Sequence, residues 1–166
     1  MSAESPPVKV FFDTEFTSLG SDPRLLSVGL VSADGQELYL ELTDGWTDAM
    51  CSPWVREHVL PMLGKGEQLT RRDAGRRIGD WLTAFKVQPT LLGDTDWDTT
   101  LLTQLLGESR LTRAGFRVEL LAFQSREQAK SFEVAKKLYF QLQKATPHHA
   151  LTDARAFMSA WSEIFA

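Results

Sequence analysis

Asp13 and Glu15 close an apolar run, Val8-Lys9-Val10-Phe11-Phe12-Asp13-Thr14-Glu15-Phe16. Read as a strand, the run alternates its side chains, so the two carboxylates share one face while Phe12 and Thr14 share the other. Neighbouring anions repel and raise each other's pKa unless a cation between them turns the repulsion into ligation. Oxygen donors of this kind suit Mg²⁺ or Mn²⁺. A lone Asp-x-Glu is more often a solvated strand end, so the chemistry depends on partners elsewhere in the chain.

Two further segments offer such partners. Leu92-Gly93-Asp94-Thr95-Asp96-Trp97-Asp98-Thr99-Thr100-Leu101-Leu102 places three aspartates at alternate positions after a short apolar strand. Asp98, between aromatic Trp97 and a helical leucine pair, is the preferred third ligand, with Asp96 and then Asp94 as fallbacks; an acidic helix cap is the plainer alternative. In Pro147-His148-His149-Ala150-Leu151-Thr152-Asp153-Ala154, an imidazole lies just outside a helix and a carboxylate one turn inside it. Neutral histidine near physiological pH can take a proton from water. Adjacent histidines point apart and lack the i, i+4 spacing of a metal-binding pair. Small Ala150 and Ala154 leave room for a ligand, whereas the plainer alternative is a helix start with solvated histidines.

The elements that must bring these segments together follow from periodicity and punctuation. Strands are expected over 8–16, 24–31 and 37–42, the last two joined by the Ala33-Asp34-Gly35 turn, which makes an antiparallel meander. A loop with Gly45 and Trp46 leads to a short helical piece over 53–60. Thr70 reads as an N-cap with Asp73 three residues on, opening a helix whose apolar positions are Ala74, Ile78, Trp81, Leu82 and Phe85. Its outer face carries Arg71, Arg72, Arg76 and Arg77, a solvated face or a guide for a polyanion. Thr90-Leu91-Leu92-Gly93 is a buried strand, 97–106 a helix, 116–123 a strand, and 125–144 and 150–165 the last helices. The order β-β-β-α-β-α-β-α describes a mixed sheet of about five strands flanked by helices.

With 166 residues, 43% hydrophobic and 24% charged, the chain is read as one globular domain over 1–166. No apolar run approaches the ~20 residues a membrane helix requires, and 1–7 is unlike an export signal, so a cytoplasmic protein with no membrane partner is expected. The single cysteine, Cys51, cannot form an internal disulfide and reads as a small filler residue. Net charge is −4, against a broad basic surface that coats nucleic acid. Residues 1–69 carry 4 basic and 11 acidic side chains, whereas 70–166 carry 14 and 11, so the first part is expected to supply metal ligands and the second to meet a polyanion.

Asp13-Thr14-Glu15, an aspartate after an aromatic in the middle, and His148-x-Ala-x-x-Asp153 together resemble the three motifs of DEDDh 3′-5′ exonucleases, in order and across nearly the whole chain. The related DEDDy group would need tyrosine four residues before the final aspartate, where this chain has His149; His148 stands five before. Within the group the chain is similar to RNase AS-like exoribonucleases through Phe12-Asp13-Thr14-Glu15-Phe16 and Trp54-Val55-Arg56-Glu57-His58-Val59-Leu60-Pro61. The second of these segments has no chemistry that spacing reveals. One departure is the Asp94-Asp96-Asp98 series, where the group usually has a single aspartate.

The resemblance implies a ribonuclease H-like fold in which Asp13, Glu15, Asp98 and Asp153 hold two divalent cations, Mg²⁺ or Mn²⁺, with His148 as general base. It implies release of nucleoside 5′-monophosphates from the 3′ end of single-stranded RNA, or of DNA, by a homodimer. Thr14, Thr17 and Leu19 match positions that touch the terminal sugar or wedge against its base, and Phe16 and Trp97 are candidates for base stacking. The rivals are an exodeoxyribonuclease, a nuclease for very short oligonucleotides, and a nuclease-like module that binds an end without cutting. Presence of all four acids and the histidine disfavours the last.

Overall fold

The computed structural model describes residues 7–107 and 115–166. β1 (Lys9–Phe16) is apolar on both faces, with Val10 and Phe12 packed to one side and Phe11 to the other, all without solvent exposure. A strand buried in this way needs neighbours on both edges and helices over both faces. It pairs antiparallel with β2 (Leu25–Ser32), which pairs antiparallel with β3 (Glu37–Leu42). Three residues of β4 (Glu67–Leu69) run parallel to β3. On the other edge of β1 lie β5 (Thr90–Gly93) and then β6 (Arg117–Leu120), both parallel. The order is β4-β3-β2-β1-β5-β6.

The meander is as the sequence leads one to expect, and β1 lies inside the sheet. Among the described residues the sheet has six strands instead of about five because β4 forms on the edge of β3. β6 covers only part of the expected 116–123.

Helices α1 (Pro53–His58), α2 (Arg71–Thr83), α3 (Asp96–Leu106), α4 (Arg126–Gln143) and α5 (Ala150–Phe165) complete the described elements. α1 ends at His58, and 3-10 geometry takes over at Leu60–Met62, where Pro61 lacks the N–H an α-helix would use. Thr70 caps α2 as its spacing predicts, accepting from the N–H of Asp73 at 3.2 Å. Ala74, Ile78 and Leu82 of α2, with Leu101, Leu102, Leu105 and Leu106 of α3, bury the Phe12 face. α4 and α5 bury the Phe11 face. There Phe157 meets Phe11 edge-on with ring centroids 5.2 Å apart and Phe132 at 5.6 Å.

Arg76 and Arg77 of α2 lie across the sheet from α5, paired with Asp73 at 3.8 Å and Glu67 at 3.5 Å. Cys51 is buried and unbridged beside Leu26, Val55 and Val59. No helix among the described residues is long and apolar enough to cross a membrane. Of the N-terminal stretch 1–7, residues 1–6 lie outside the described residues.

Candidate active site

Register between β1 and β5 runs only from Lys9↔Thr90 to Phe11↔Leu92. Past Phe11 the two parallel strands part, and the crevice beyond their carboxyl ends is where an open α/β sheet can receive a ligand. Asp13 and Glu15 project at its edge. Carboxylate oxygens of Asp13, Asp94 and Asp98 lie within 4.8 Å of one another, and Glu15, His148 and Asp153 form a second group within the same span. Asp98 is thus beside Asp13 as its preferred status requires. Asp96 is exposed in the first turn of α3 and belongs to neither group. Asp94 joins the first, but its Oδ2 accepts a 2.7 Å hydrogen bond from Lys136 Nζ of α4.

Neutral groups hold the other acids in place. Asp98 sits at the third helical position of α3, whose N-cap is Thr95. The Thr95 hydroxyl accepts from the Asp98 N–H at 3.2 Å and donates to Asp98 Oδ2. Asp98 Oδ1 accepts from the Thr14 N–H at 3.0 Å and from the Thr14 hydroxyl at 2.5 Å. Asp153 Oδ2 accepts from the N–H of His148 at 2.9 Å, with His148 in the left-handed region at φ 72°.

The start of α5 is seated on β2 at Gly29. A Cβ there would lie 2.3 Å from the nitrogen of Leu151 and 2.4 Å from the carbonyl carbon of Ala150. Because Gly29 pairs with Asp13, its missing side chain lets α5 descend onto the face where Asp13 points.

Burial and mutual repulsion set the electrostatics. Asp13 is pushed well above the usual carboxylate range by burial first, then by Asp98, Asp153, Glu15 and Asp94. Burial, followed by the charge of Asp153, raises Glu15 to about 9. Burial takes Asp153 to about 6, opposed by the His148 N–H. Asp98 is also raised, chiefly by burial. Burial and then the charge of His58 lower His148. This donor set, rich in oxygen and short of positive charge, fits a hard divalent cation, which would offset the repulsion that protons otherwise relieve.

The residues expected at the substrate divide in two. Leu19 is 73% exposed and lines an open slot of about 330 Å³ with Glu15, Phe16, Trp54 and Val55. Phe16 also stacks on Trp97, with ring centroids 5.8 Å apart. Thr14 and Thr17, expected with Leu19 to touch the terminal sugar or wedge against its base, have buried side chains. The Thr14 hydroxyl is committed to Asp98, and that of Thr17 accepts from the Arg24 N–H at 2.9 Å, so both brace the site from behind.

His148 and His149 point apart as adjacency predicts. His148 turns to Trp54 and His58, and His149 to Tyr39. Sequence reading missed Lys136 and attached no chemistry to Trp54 and His58. For Lys136 a signal existed: it lies on the α4 face that carries Phe132, four residues earlier, where an apolar side chain would be expected.

No family model matches the chain. Among curated proteins, 3′-5′ exoribonuclease Rv2179c of Mycobacterium tuberculosis (strain ATCC 25618 / H37Rv) is 41% identical over 56 residues. 3′-5′ exoribonuclease MT2234.1 of strain CDC 1551 / Oshkosh matches to the same extent. The match spans 34% of this chain and 33% of each relative's length.

The Mg²⁺- and Mn²⁺-bound form of S. pombe Pop2p superposes with a TM-score of 0.51 at 14% identity, covering 95% of this chain and 81% of that one. Product-bound exonuclease I superposes with a TM-score of 0.56 at 12% identity, covering 95% and 43%. The chain is therefore similar in sequence to curated 3′-5′ exoribonucleases over about a third of its length, and it has the ribonuclease H-like fold that it shares with Pop2p and exonuclease I.

Proposed function

We propose that this protein is a metal-dependent 3′-5′ exoribonuclease of the DEDDh type, a single catalytic domain acting on the 3′ end of single-stranded RNA. The reading rests on the convergence of Asp13, Glu15, Asp98, Asp153 and His148, drawn from three distant segments, in one crevice. The Asp13 and Glu15 groups lie side by side, which supports a pair of Mg²⁺ or Mn²⁺ ions held by the four acids. When bound, such ions polarise a water nucleophile and stabilise a leaving 3′-oxygen.

The chain's own part is positioning and proton transfer. His148, kept neutral at physiological pH by its surroundings, accepts the proton of the attacking water. Oxygen attacks phosphorus in line, the bond from phosphorus to the 3′-oxygen breaks, and a nucleoside 5′-monophosphate departs. Leu19 and Phe16 form the wall for the terminal base, and Trp97 backs Phe16. A cytoplasmic homodimer completes the proposal; Val134, Leu138 and Leu142, exposed at helical spacing on α4, offer a second copy an apolar stripe.

The test supplies Mn²⁺ or Mg²⁺ with 3′- and 5′-labelled RNA and DNA of matched sequence, beside Asp13→Ala and His148→Ala. Stepwise shortening of RNA from the 3′ end, lost in Asp13→Ala and reduced to a slow residual rate in His148→Ala, is expected. Preferred shortening of DNA would reassign the substrate. Intact substrate with every metal would leave a module that binds ends without cutting.

A further inference from the structure

We propose that Trp54 is a positioning residue for His148, holding its imidazole at the crevice from the base-slot side; the inference rests on the exonuclease reading. The hydrogen bond from the His148 N–H to Asp153 fixes the backbone of that residue but leaves its two side-chain torsions free. His148 has a left-handed backbone and follows Pro147 on a loop, so its ring needs support from another element.

That support comes from α1. The indole of Trp54 meets the His148 ring edge-on, with centroids 4.7 Å apart and planes at 85°. Behind the indole, His58 stacks at 4.7 Å and 16°, its Nδ1 3.0 Å from the Trp54 carbonyl oxygen, and its ring lies 6.4 Å from that of His148. The three rings form a bracket whose base is fixed. Ser52 caps α1 through the N–H of Val55 and donates its own N–H to the Thr17 carbonyl at 2.9 Å, while Val55 and Val59 are buried against Leu26.

Trp54 is 47% exposed and also lines the slot with Leu19 and Phe16. A base seated there presses on the ring that steadies the proton acceptor, so occupancy of the slot and placement of His148 are linked through one side chain. The Trp54-to-Pro61 segment, silent at the level of spacing, thereby acquires a role.

The test is a double-mutant cycle on 3′-labelled RNA with Mn²⁺, using Trp54→Ala, Trp54→Phe, His148→Ala and the double variant Trp54→Ala/His148→Ala. Loss of alignment by about 1 Å is expected to lower kcat of Trp54→Ala roughly 10- to 100-fold, with Trp54→Phe within about threefold of the parent. Because Trp54 acts through His148, the double variant should be no slower than His148→Ala alone. Multiplying effects, or a raised KM with kcat unchanged, would overturn the proposal and leave Trp54 as a base contact.

A second readout needs no turnover. The imidazole C–H signals of His148, assigned by their loss in His148→Ala, should carry a ring-current shift that collapses in Trp54→Ala and persists in Trp54→Phe. Signals unmoved in Trp54→Ala would refute the contact. If the parent protein shortens no substrate, the exonuclease reading fails, and the ring-current shift alone then decides whether Trp54 holds His148.

Discussion

Replacing Gly29 by alanine tests how the last helix is seated. The added Cβ would approach backbone atoms of Ala150 and Leu151 to 2.3–2.4 Å, where ordinary contact begins at 3.4 Å. Backbone on both sides leaves no flexible side chain to yield, so α5 must back away from β2 by about 1 Å, a misplacement of the size that costs roughly 100-fold in rate when it reaches reacting groups. Under the proposed function it reaches them here. Asp153 is one turn along from Ala150, and His148 is tied to Asp153, so both recede from Glu15, while Asp13, opposite Gly29 in β1, stays.

The expected outcome for Gly29→Ala is a kcat on labelled RNA lower by about 100-fold and a stability loss of about 1–3 kcal/mol from overpacking. Gly79 supplies the control. It lies within α2, and a Cβ there would meet nothing within 4 Å, so Gly79→Ala should gain roughly 0.5–1 kcal/mol from helix propensity and leave kcat unchanged. Both are read by thermal or denaturant unfolding and by single-turnover cleavage. If Gly29→Ala matches the parent in rate and stability, α5 is not seated on Gly29 and the account of how Asp153 reaches the crevice is wrong.

The carboxylates predict a coupling between pH and metal. Glu15 at about 9 and Asp153 at about 6, both raised chiefly by burial, bind protons more tightly folded than unfolded. Their stabilising contribution is therefore complete below the ordinary carboxylate range and is lost as pH rises through 6 and then 9. In chelator the melting temperature should fall between pH 5 and 9, and Mn²⁺ should restore more of it at the alkaline end; a metal effect larger at pH 5 would contradict the assignment. Lys136→Met removes the partner of Asp94. It should tighten Mn²⁺ binding by calorimetry while lowering metal-free stability by about 3 kcal/mol, and unchanged affinity would mean that Lys136 does not govern the charge of the site. Thr95→Ala removes both the α3 cap and the hydroxyl on Asp98, for about 1 kcal/mol and a lower kcat, with Thr95→Ser restoring each; a kcat equal to the parent's would show that Asp98 needs no such restraint.

The two outer motifs were legible because their chemistry lies in contiguous strings. Asp13 and Glu15 follow from strand alternation, and His148 and Asp153 from one helix start. The middle acid was left among Asp94, Asp96 and Asp98, although the sequence held a further clue. Thr95-x-x-Asp98 has the capping spacing that located α2 from Thr70-x-x-Asp73, and it turns Asp98 back toward the cap while leaving Asp96 outside. β4 was not legible, since three residues give no period to read. The bracket on His148 joins positions some ninety residues apart, and local pattern carries no sign of it. The charge split does not follow the crevice: Asp13 and Glu15 come from the acidic first part, and Asp98 and Asp153 from the basic second part.

Under the proposed function, how the acids are held bears on which of them would bind metal. Asp98 is fixed by a backbone N–H and two hydroxyls, and Asp153 by a backbone N–H, while the start of α5 is placed by the absence of a side chain at Gly29. All of these restraints are neutral. They orient the carboxylates without cancelling the negative charge that attracts a cation, and some of the rise in carboxylate pKa is the cost of that arrangement. Asp94 is treated differently, with Lys136 already against it at 2.7 Å. A carboxylate so paired brings no net charge to the crevice, which under the proposed function favours Asp98 over Asp94 as the third ligand, with the Asp94–Lys136 pair beside it on the α4 side.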